Sequence, residues 1–247
     1  MARSSIKKML IEEIAPIIKK SGYIAALTGA GISTSAGIPD FRGKHGIYTT
    51  KKYPPEVFDI ARFDDDPSIF YNYAKDFIEF EEKLKPTFTH IWLAELEKSG
   101  KLKFVITQNV DGLHQKAGTK NIIEIHGGFG KSFCRGCRAE YGFKELKKKI
   151  HAESVPKCGK CGGIIKPDIV FFGEPIKSII EAEGIVEKAD LLLVIGTSLT
   201  VYPAAMLPSL AKGRVIVVNK GNIGANLPQA AIFDSDIDGF FKTLEPC

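Results

Sequence analysis

The chain has 247 residues, 44% of them hydrophobic and 26% charged, with a formal net charge of +5. That length can bury a full core in one large domain or two smaller ones, and the composition is that of an ordinary soluble globular protein. It excludes a membrane-spanning helix, since no apolar run approaches the roughly 18 residues a bilayer requires; the modest charge gives no support for direct nucleic-acid binding, which needs a concentrated basic face.

In chain order, Ile6, Met9, Leu10, Ile14, Ile17 and Ile18 recur at helical spacing, and Ser21-Gly22 supplies a stop. Arg3, Lys7 and Lys8 stand at the front, but Glu12 and Glu13 interrupt the apolar residues behind them. That pattern is an amphipathic helix and not a secretory signal. Tyr23 to Thr28 reads as a buried strand that opens onto Gly29-Ala30-Gly31. From Lys44 to about Lys85 the pattern is helical and aromatic, and a second helix is predicted from Phe88 to Lys98 with Ile91, Trp92 and Leu96 as core. Strands follow at about 103–107 and 122–126, then a cysteine-bearing segment from 128 to about 168, in which Lys144 to Lys149 reads as a solvated helix face. Leu191 to Ile195 and Val215 to Val218 are continuous apolar runs of strand length, as in parallel strands covered on both faces. Alternating strands and helices argue for a doubly wound α/β domain. The expected division is a large domain of about 1–43, 86–127 and 169–247, with a smaller domain from two insertions, helical at 44–85 and cysteine-bearing at 128–168.

Four of the five cysteines form two close pairs, Cys134-x-x-Cys137 and Cys158-x-x-Cys161, separated by twenty residues. Two such knuckles supply the four thiolates of a structural zinc ion at about 2.3 Å per bond, and a full protein shell leaves no position for a reacting water. Paired thiols in a chain without an export signal point to a reducing compartment, so a cytoplasmic location is expected. His151 lies between the knuckles and reads as a surface residue; Cys247 is a terminal thiol without assigned function.

Gly29-Ala30-Gly31 after a strand is the start of a dinucleotide-binding turn. Alone it also fits a plain glycine turn, because Thr34 stands where the third glycine of that motif belongs. The stretch Thr107-Gln108-Asn109-Val110-Asp111-Gly112-Leu113-His114, followed by His126-Gly127, places a carboxamide pair, a carboxylate and an imidazole at or near two strand ends. Those ends face the ligand crevice of an open α/β sheet, and an imidazole there moves protons near neutral pH.

The string Gly29-Ala30-Gly31-Ile32-Ser33-Thr34-Ser35-Ala36-Gly37-Ile38-Pro39-Asp40-Phe41-Arg42-Gly43 closely resembles the signature of the sirtuins, silent-information-regulator-like NAD-dependent protein-lysine deacylases. The likeness continues through 107–114, Glu124-Ile125-His126-Gly127, the four cysteines, Pro167 to Glu174, Gly196-Thr197-Ser198-Leu199 and Asn219, over roughly residues 23–220. It implies a single catalytic core of prokaryotic type: a Rossmann-like doubly wound parallel sheet, a smaller domain made of a zinc ribbon and a helical insertion, and NAD as co-substrate between them. By that resemblance Gly29, Ala30 and Thr34 line the phosphates and riboses, and Phe41 and Arg42 sit on a closing loop. Gln108, Asn109 and Asp111 hold the nicotinamide ribose and carboxamide, with Val110 contributing backbone. Thr197, Ser198 and Asn219 meet the adenosine end, with Lys220 and Asp234 as further cofactor contacts. His126 is the implied general base and Asn109 its catalytic companion. In the family, the acyl oxygen of a modified lysine attacks the nicotinamide ribose and expels nicotinamide; the base then takes a proton from a ribose hydroxyl, which attacks the imidate. The products are free lysine, nicotinamide and an O-acyl-ADP-ribose. Segments 169–173 and 199–202 look like the family's clamp, to which the substrate peptide adds as a strand.

Two departures matter. The family's serine before Gly-Ile-Pro is replaced by Ala36, with Ser35 preceding it, and little effect is expected. The Tyr-x-x-Arg pair of sirtuins that prefer acidic acyl groups is here Tyr71 with Ala74, and alanine cannot fork a carboxylate as arginine does. Acetyl-lysine is therefore expected over succinyl- or malonyl-lysine. His90 reads as a packing or hydrogen-bonded residue, His114 as structural and His45 as a loop residue. The competing readings are a protein mono-ADP-ribosyltransferase and a non-catalytic NAD-sensing zinc-ribbon module. A monomer is expected, because no exposed apolar helix stands out.

Overall fold

The computed structural model describes residues 10–40, 46–50, 52–81 and 83–244. A 3-10 turn at Ile11–Glu13 leads into α1 (Ile14–Lys20), which presents Ile14 and Ile18 to the core. β1 (Ile24–Thr28) is buried along its whole length and runs into a 3-10 helix at Ala30–Ala36. The helical insertion is built from short pieces: α2 (Ile47–Thr50), a 3-10 turn at Pro55–Phe58, α3 (Ile60–Asp65) and α4 (Ser68–Glu81). The Asp59 carboxylate accepts from the Arg62 amide and so caps α3. α5 (Phe88–Lys98) is capped reciprocally, Thr87 accepting from the His90 amide while His90 Nδ1 accepts from the Thr87 amide.

The chain continues through β2 (Leu102–Thr107), α6 (Leu113–Ala117), β3 (Ile122–Glu124), β4 (Gly127–Cys134), β5 (Glu140–Gly142), α7 (Phe143–Ala152) and β6 (Ile165–Ile169). It closes with α8 (Ile179–Lys188), β7 (Leu191–Ile195), β8 (Arg214–Asn219), β9 (Ala230–Asp234) and α9 (Ile237–Lys242). No helix among the described residues is long and apolar enough to cross a membrane.

Six strands form one parallel sheet in the order β3-β2-β1-β7-β8-β9. Alternation along each strand feeds two cores. Ile24, Ala26, Leu191, Leu193, Ile216 and Val218 meet α1, α5 and α9 on one face. Ala25, Leu27, Leu192, Val194, Val215 and Val217 meet α8 and a 3-10 segment at Ala204–Leu210 on the other. Burial on both faces is why these strands read as unbroken apolar runs. The strand order reverses between β1 and β7, which makes the carboxyl ends of those two strands the topological switch point.

A third core lies apart, formed by Phe58, Phe63, Phe70, Ile78, Phe129, Leu146, Ile165 and Phe171. It joins the helical insertion to a separate sheet ordered β5-β4-β6. Residues 169–173 and 199–202, read as strand-like from the sequence, are not regular strands. β6 ends at Ile169, and the following loop makes a single bridge from Phe172 to Asp59. The Val170 and Phe172 amides are taken by the carbonyls of His126 and Phe58, while Leu199 bends the other segment with φ at 51°. With those two amides already engaged, the 169–173 segment does not continue β6 as a regular strand.

Candidate active site

At the switch point the glycine turn has a packing reason. A side-chain carbon on Gly29 would lie 2.7 Å from Thr197 Cβ, and one on Gly31 2.8 Å from Gly196 Cα. Gly196 itself holds φ at 65°. The two strand-end loops therefore press backbone to backbone, which leaves their outer side lined by main chain.

That side opens into a cavity of about 1130 Å³ between the large sheet and the third core. Gly29, Ala30, Thr34, Gln108, Asn109, Val110, Asp111, His126, Thr197, Ser198, Asn219 and Lys220 all line it. Its opposite wall is apolar and aromatic: Phe58, Tyr73, Phe77, Ile169 and Phe171.

A buried hydrogen-bond network sets the loop after β2. Asn109 Nδ2 donates to the Gly29 carbonyl and to Ser33 Oγ, both at 3.2 Å, and Ser33 Oγ donates to Asp111 Oδ2 at 2.7 Å. Asp111 Oδ1 accepts from the Leu113 amide at 2.9 Å, which starts α6. Beneath, the Asn109 amide donates to Thr107 Oγ1, which also accepts from Thr28 Oγ1. Thr28 is in turn 2.9 Å from His114 Nε2. The His114 ring lies against His90 with centroids 4.6 Å apart, and burial holds the two imidazoles down to about 3 and about 4. Both are neutral structural groups at physiological pH. Gln108 Nε2 reaches Thr197 Oγ1 at 3.0 Å and ties this loop to the one after β7.

His126 is the second residue of the two-residue turn between β3 and β4. Its Nδ1 stands 2.9 Å from the Gln108 carbonyl, an acceptor only, so Nδ1 carries the proton and Nε2 keeps its lone pair. Burial lowers its pKa from the ordinary histidine value, and the Gln108 carbonyl partly offsets that. A neutral imidazole in one tautomer, on the cavity wall, is equipped to accept a proton.

Across the third core, the sulfurs of Cys134, Cys137, Cys158 and Cys161 all lie within 4.8 Å of one another. Cys134–Cys161 and Cys137–Cys158 stand at 3.4 and 3.6 Å, far beyond a disulfide and close to the ~3.8 Å edge of a tetrahedron with 2.3 Å metal–sulfur bonds. The amides of Cys137, Lys160 and Gly163 point at the sulfurs. Tyr141 donates its hydroxyl to Cys158 Sγ at 3.0 Å, the largest cause holding that thiol down at about 6. The donor set is soft, thiolate-rich and closed, which fits a tetrahedral zinc ion and no catalytic water.

The Sir2 family profile matches residues 29–203, which spans both the glycine turn and the cysteine cluster. The chain belongs to the Sir2 family. It is 46% identical over 214 residues to the NAD-dependent protein deacetylase of Saccharolobus solfataricus, covering 85% of this chain and 86% of that one. It is 44% identical over 218 residues to the enzyme of that name from Thermotoga maritima, covering 86% and 88%. Among solved structures, a Sir2 complex with a p53 peptide and NAD+ superposes with a TM-score of 0.86 at 39% identity, covering 95% of this chain and 97% of that one. A Sir2 protein bound to an acetylated peptide superposes with a TM-score of 0.86 at 38% identity, covering 95% and 97%.

Within this Sir2 core the remaining expected residues fall as follows. Phe41 and Arg42 lie outside the described residues, as does His45. Asp234 does not line the cavity; it accepts from the Gly221 amide at 2.8 Å and braces the turn after β8. Asp236, Ile237 and Asp238 at the start of α9 line the cavity there instead. Tyr71 and Ala74 are buried in the third core, where the Tyr71 hydroxyl donates to the Ile165 carbonyl, and α4 turns Tyr73 and Phe77 to the cavity. Ser33, Thr28 and Thr107 were not singled out from the sequence. The polar residues flanking β1 and β2 were the available signal, but their pairing across strands exists only in the fold.

Proposed function

We propose that the chain is an NAD-dependent protein-lysine deacetylase that yields nicotinamide, O-acetyl-ADP-ribose and free lysine. The observation that carries this reading is His126, held as one neutral tautomer by the Gln108 carbonyl at 2.9 Å and opening on the cavity shared with Asn109 and Asp111. Transfer of the acetyl group needs a base for a ribose hydroxyl, and Nε2 of His126 has the free lone pair to take that proton.

In this reading the glycine-lined turn and Thr34 receive the phosphates, with Phe41 and Arg42 from the adjoining loop. Asn109 and Asp111, tied to one another through Ser33, fix the nicotinamide ribose, while Gln108 and the Val110 backbone flank the nicotinamide. Thr197, Ser198, Asn219 and Lys220 take the adenosine end. The apolar wall of Phe58, Tyr73, Phe77 and Phe171 receives the acetyl-lysine stem. The peptide backbone adds between 169–173 and 199–202. Cys134, Cys137, Cys158 and Cys161 hold one structural zinc, whose role is to fold the ribbon.

The large domain we assign to about 1–43, 86–127 and 169–247, and the small one to about 44–85 and 128–168. Thiols gathered for a metal suit a reducing compartment, so we place the protein in the cytoplasm; we take it to be a monomer because no exposed apolar helix stands out in the sequence.

The test is mass spectrometry of an acetyl-lysine peptide with and without NAD, alongside His126→Ala. Deacetylation that requires NAD, releases O-acetyl-ADP-ribose and disappears in the variant is the expected result. ADP-ribose left on protein without deacetylation would replace this reading with the transferase.

A further inference from the structure

Among the described residues, one buried cation, Lys166, lies in the small lobe behind the cavity wall formed by Ile169, Phe171 and Glu174. Lys166 on β6 is 7% exposed, and its stem enters from the strand pairing with Phe133 of β4. Its ammonium is met from three sides by one short loop. It donates to the Ile169 carbonyl at 2.6 Å and to Glu174 Oε2 at 2.8 Å, and it lies 4.0 Å from the Phe171 ring centroid. Glu174 Oε2 also accepts from the Phe171 amide at 2.9 Å, and the Glu174 amide returns to the Phe171 carbonyl at 3.0 Å. A lysine buried in this way loses hydration, and desolvation is the largest cause lowering its pKa. Such burial is tolerated only where the charge is fully met, as here by a carboxylate, a carbonyl and an aromatic face.

The clasped loop is a wall of the cavity: Ile169, Phe171 and Glu174 all line it. Its other side is pinned to the helical insertion, the Phe172 amide donating to the Phe58 carbonyl and its carbonyl accepting from the Ile60 amide. On the assignment of this cavity to a deacetylase, that loop is where the peptide backbone is received.

We propose that Lys166 is a positioning residue for the substrate peptide: its ammonium ties Ile169, Phe171 and Glu174 into one preformed loop, so that the peptide-facing backbone is ordered before the substrate arrives. Pre-ordering spares the peptide the entropy of arranging its own site, and that saving belongs to peptide binding alone. Glu174 is held by the same contact and acts with it as one unit.

The experiment compares wild type, Lys166→Met, which keeps the apolar stem, and Lys166→Arg, which restores a cation. The readouts are KM for an acetyl-lysine peptide, KM for NAD, zinc content, and hydrogen exchange of the 170–174 amides without ligand. Lys166→Met is expected to raise the peptide KM about tenfold with the NAD KM within about twofold, and to speed exchange at 170–174 about tenfold. Zinc content stays at wild-type level, and Lys166→Arg recovers most of the loss. Should the single variant not fold because Glu174 is left uncompensated, Lys166→Met with Glu174→Met removes both charges and carries the same expected exchange. Unchanged exchange and unchanged peptide KM in a folded variant overturn the proposal, as does an equal rise in both KM values. Exchange needs no turnover, so faster exchange in a protein whose wild type does not deacetylate supports the clasp while rejecting the deacetylase reading.

Discussion

His126 acts through two neighbours with opposite effects. Burial pushes its pKa below the ordinary 6.5, while the Gln108 carbonyl, bound to Nδ1–H, favours the protonated form and partly offsets this. On the proposed reading of His126 as the base, which is competent only when neutral, activity is full above its pKa and is lost as pH falls through it. The acid limb of kcat/KM is expected to have its midpoint below about 6.5, read from a pH–rate profile. Ser33 is the second residue whose role lies in its connections. Its hydroxyl both accepts from Asn109 and donates to Asp111, so it links the two side chains. Ser33→Ala removes one partner from each. Steady-state kinetics should show KM for NAD raised at least roughly tenfold, since a hydrogen bond to a charged group contributes about 1.5–3 kcal/mol.

Among the elements, the two knuckles gather four free sulfurs within 4.8 Å of one another, so a shared metal ion would be what bonds them, while β4 and β6 also bury Phe129, Ile165 and Ile169 in the third core. Metal analysis is expected to find one zinc per chain and none in Cys134→Ser with Cys161→Ser, with a lower thermal midpoint in that variant. α5 and α6 hold a different dependence. His90 and His114 are neutral when folded, with pKa values down at about 4 and about 3 against an unfolded value near 6.5. The unfolded chain therefore binds more protons between those limits. The stability these groups contribute is complete above about pH 6.5 and is lost as pH falls toward 4, by up to about 1.4 kcal/mol per pH unit for each imidazole. Urea unfolding at pH 7 and pH 5 tests this, and a midpoint that does not fall on acidification would contradict it.

At the scale of the molecule, the cavity exists because a parallel sheet and an aromatic core face each other across the switch point. The inner wall is Phe58, Tyr73, Phe77 and Phe171, and Lys220 is the one cation among the described lining residues. An acyl group ending in a carboxylate would be desolvated at that wall with no cation among its described lining residues to pair with. Succinyl-lysine peptide is expected to turn over at least about a hundredfold more slowly than its acetyl twin, compared by kcat/KM under matched NAD. Faster cleavage of the succinyl peptide would show that a cation reaches the wall.

Local chemistry made much of this readable in advance. Leu191 to Ile195 and Val215 to Val218 announce doubly buried strands because both faces are covered, and CxxC spacing brings two sulfurs to one ion whatever surrounds it. The 107–114 and 126–127 stretches place carboxamide, carboxylate and imidazole at strand ends, and the family resemblance singles out His126 from His114, which the fold uses structurally. Other features depend on partners distant in the chain. Ser33 bridges Asn109 and Asp111, and Thr28 meets Thr107, only once β1 and β2 pair. Asp234 has the composition of a cofactor contact but spends its carboxylate on the Gly221 amide. The 169–173 segment has strand composition, yet its amides are claimed by His126 and Phe58. Which face of α4 meets the cavity followed from packing: Tyr71, Tyr73 and Ala74 are all buried in the third core, and Tyr73 and Phe77 are the ones that also reach the cavity. Residue type and short spacing thus determined the fold class and the cysteine ligand set, and the family resemblance pointed to His126 as the proton-moving group. The tertiary structure decided tautomer, second partners and wall orientation, because those arise from contacts between segments that no local pattern encodes.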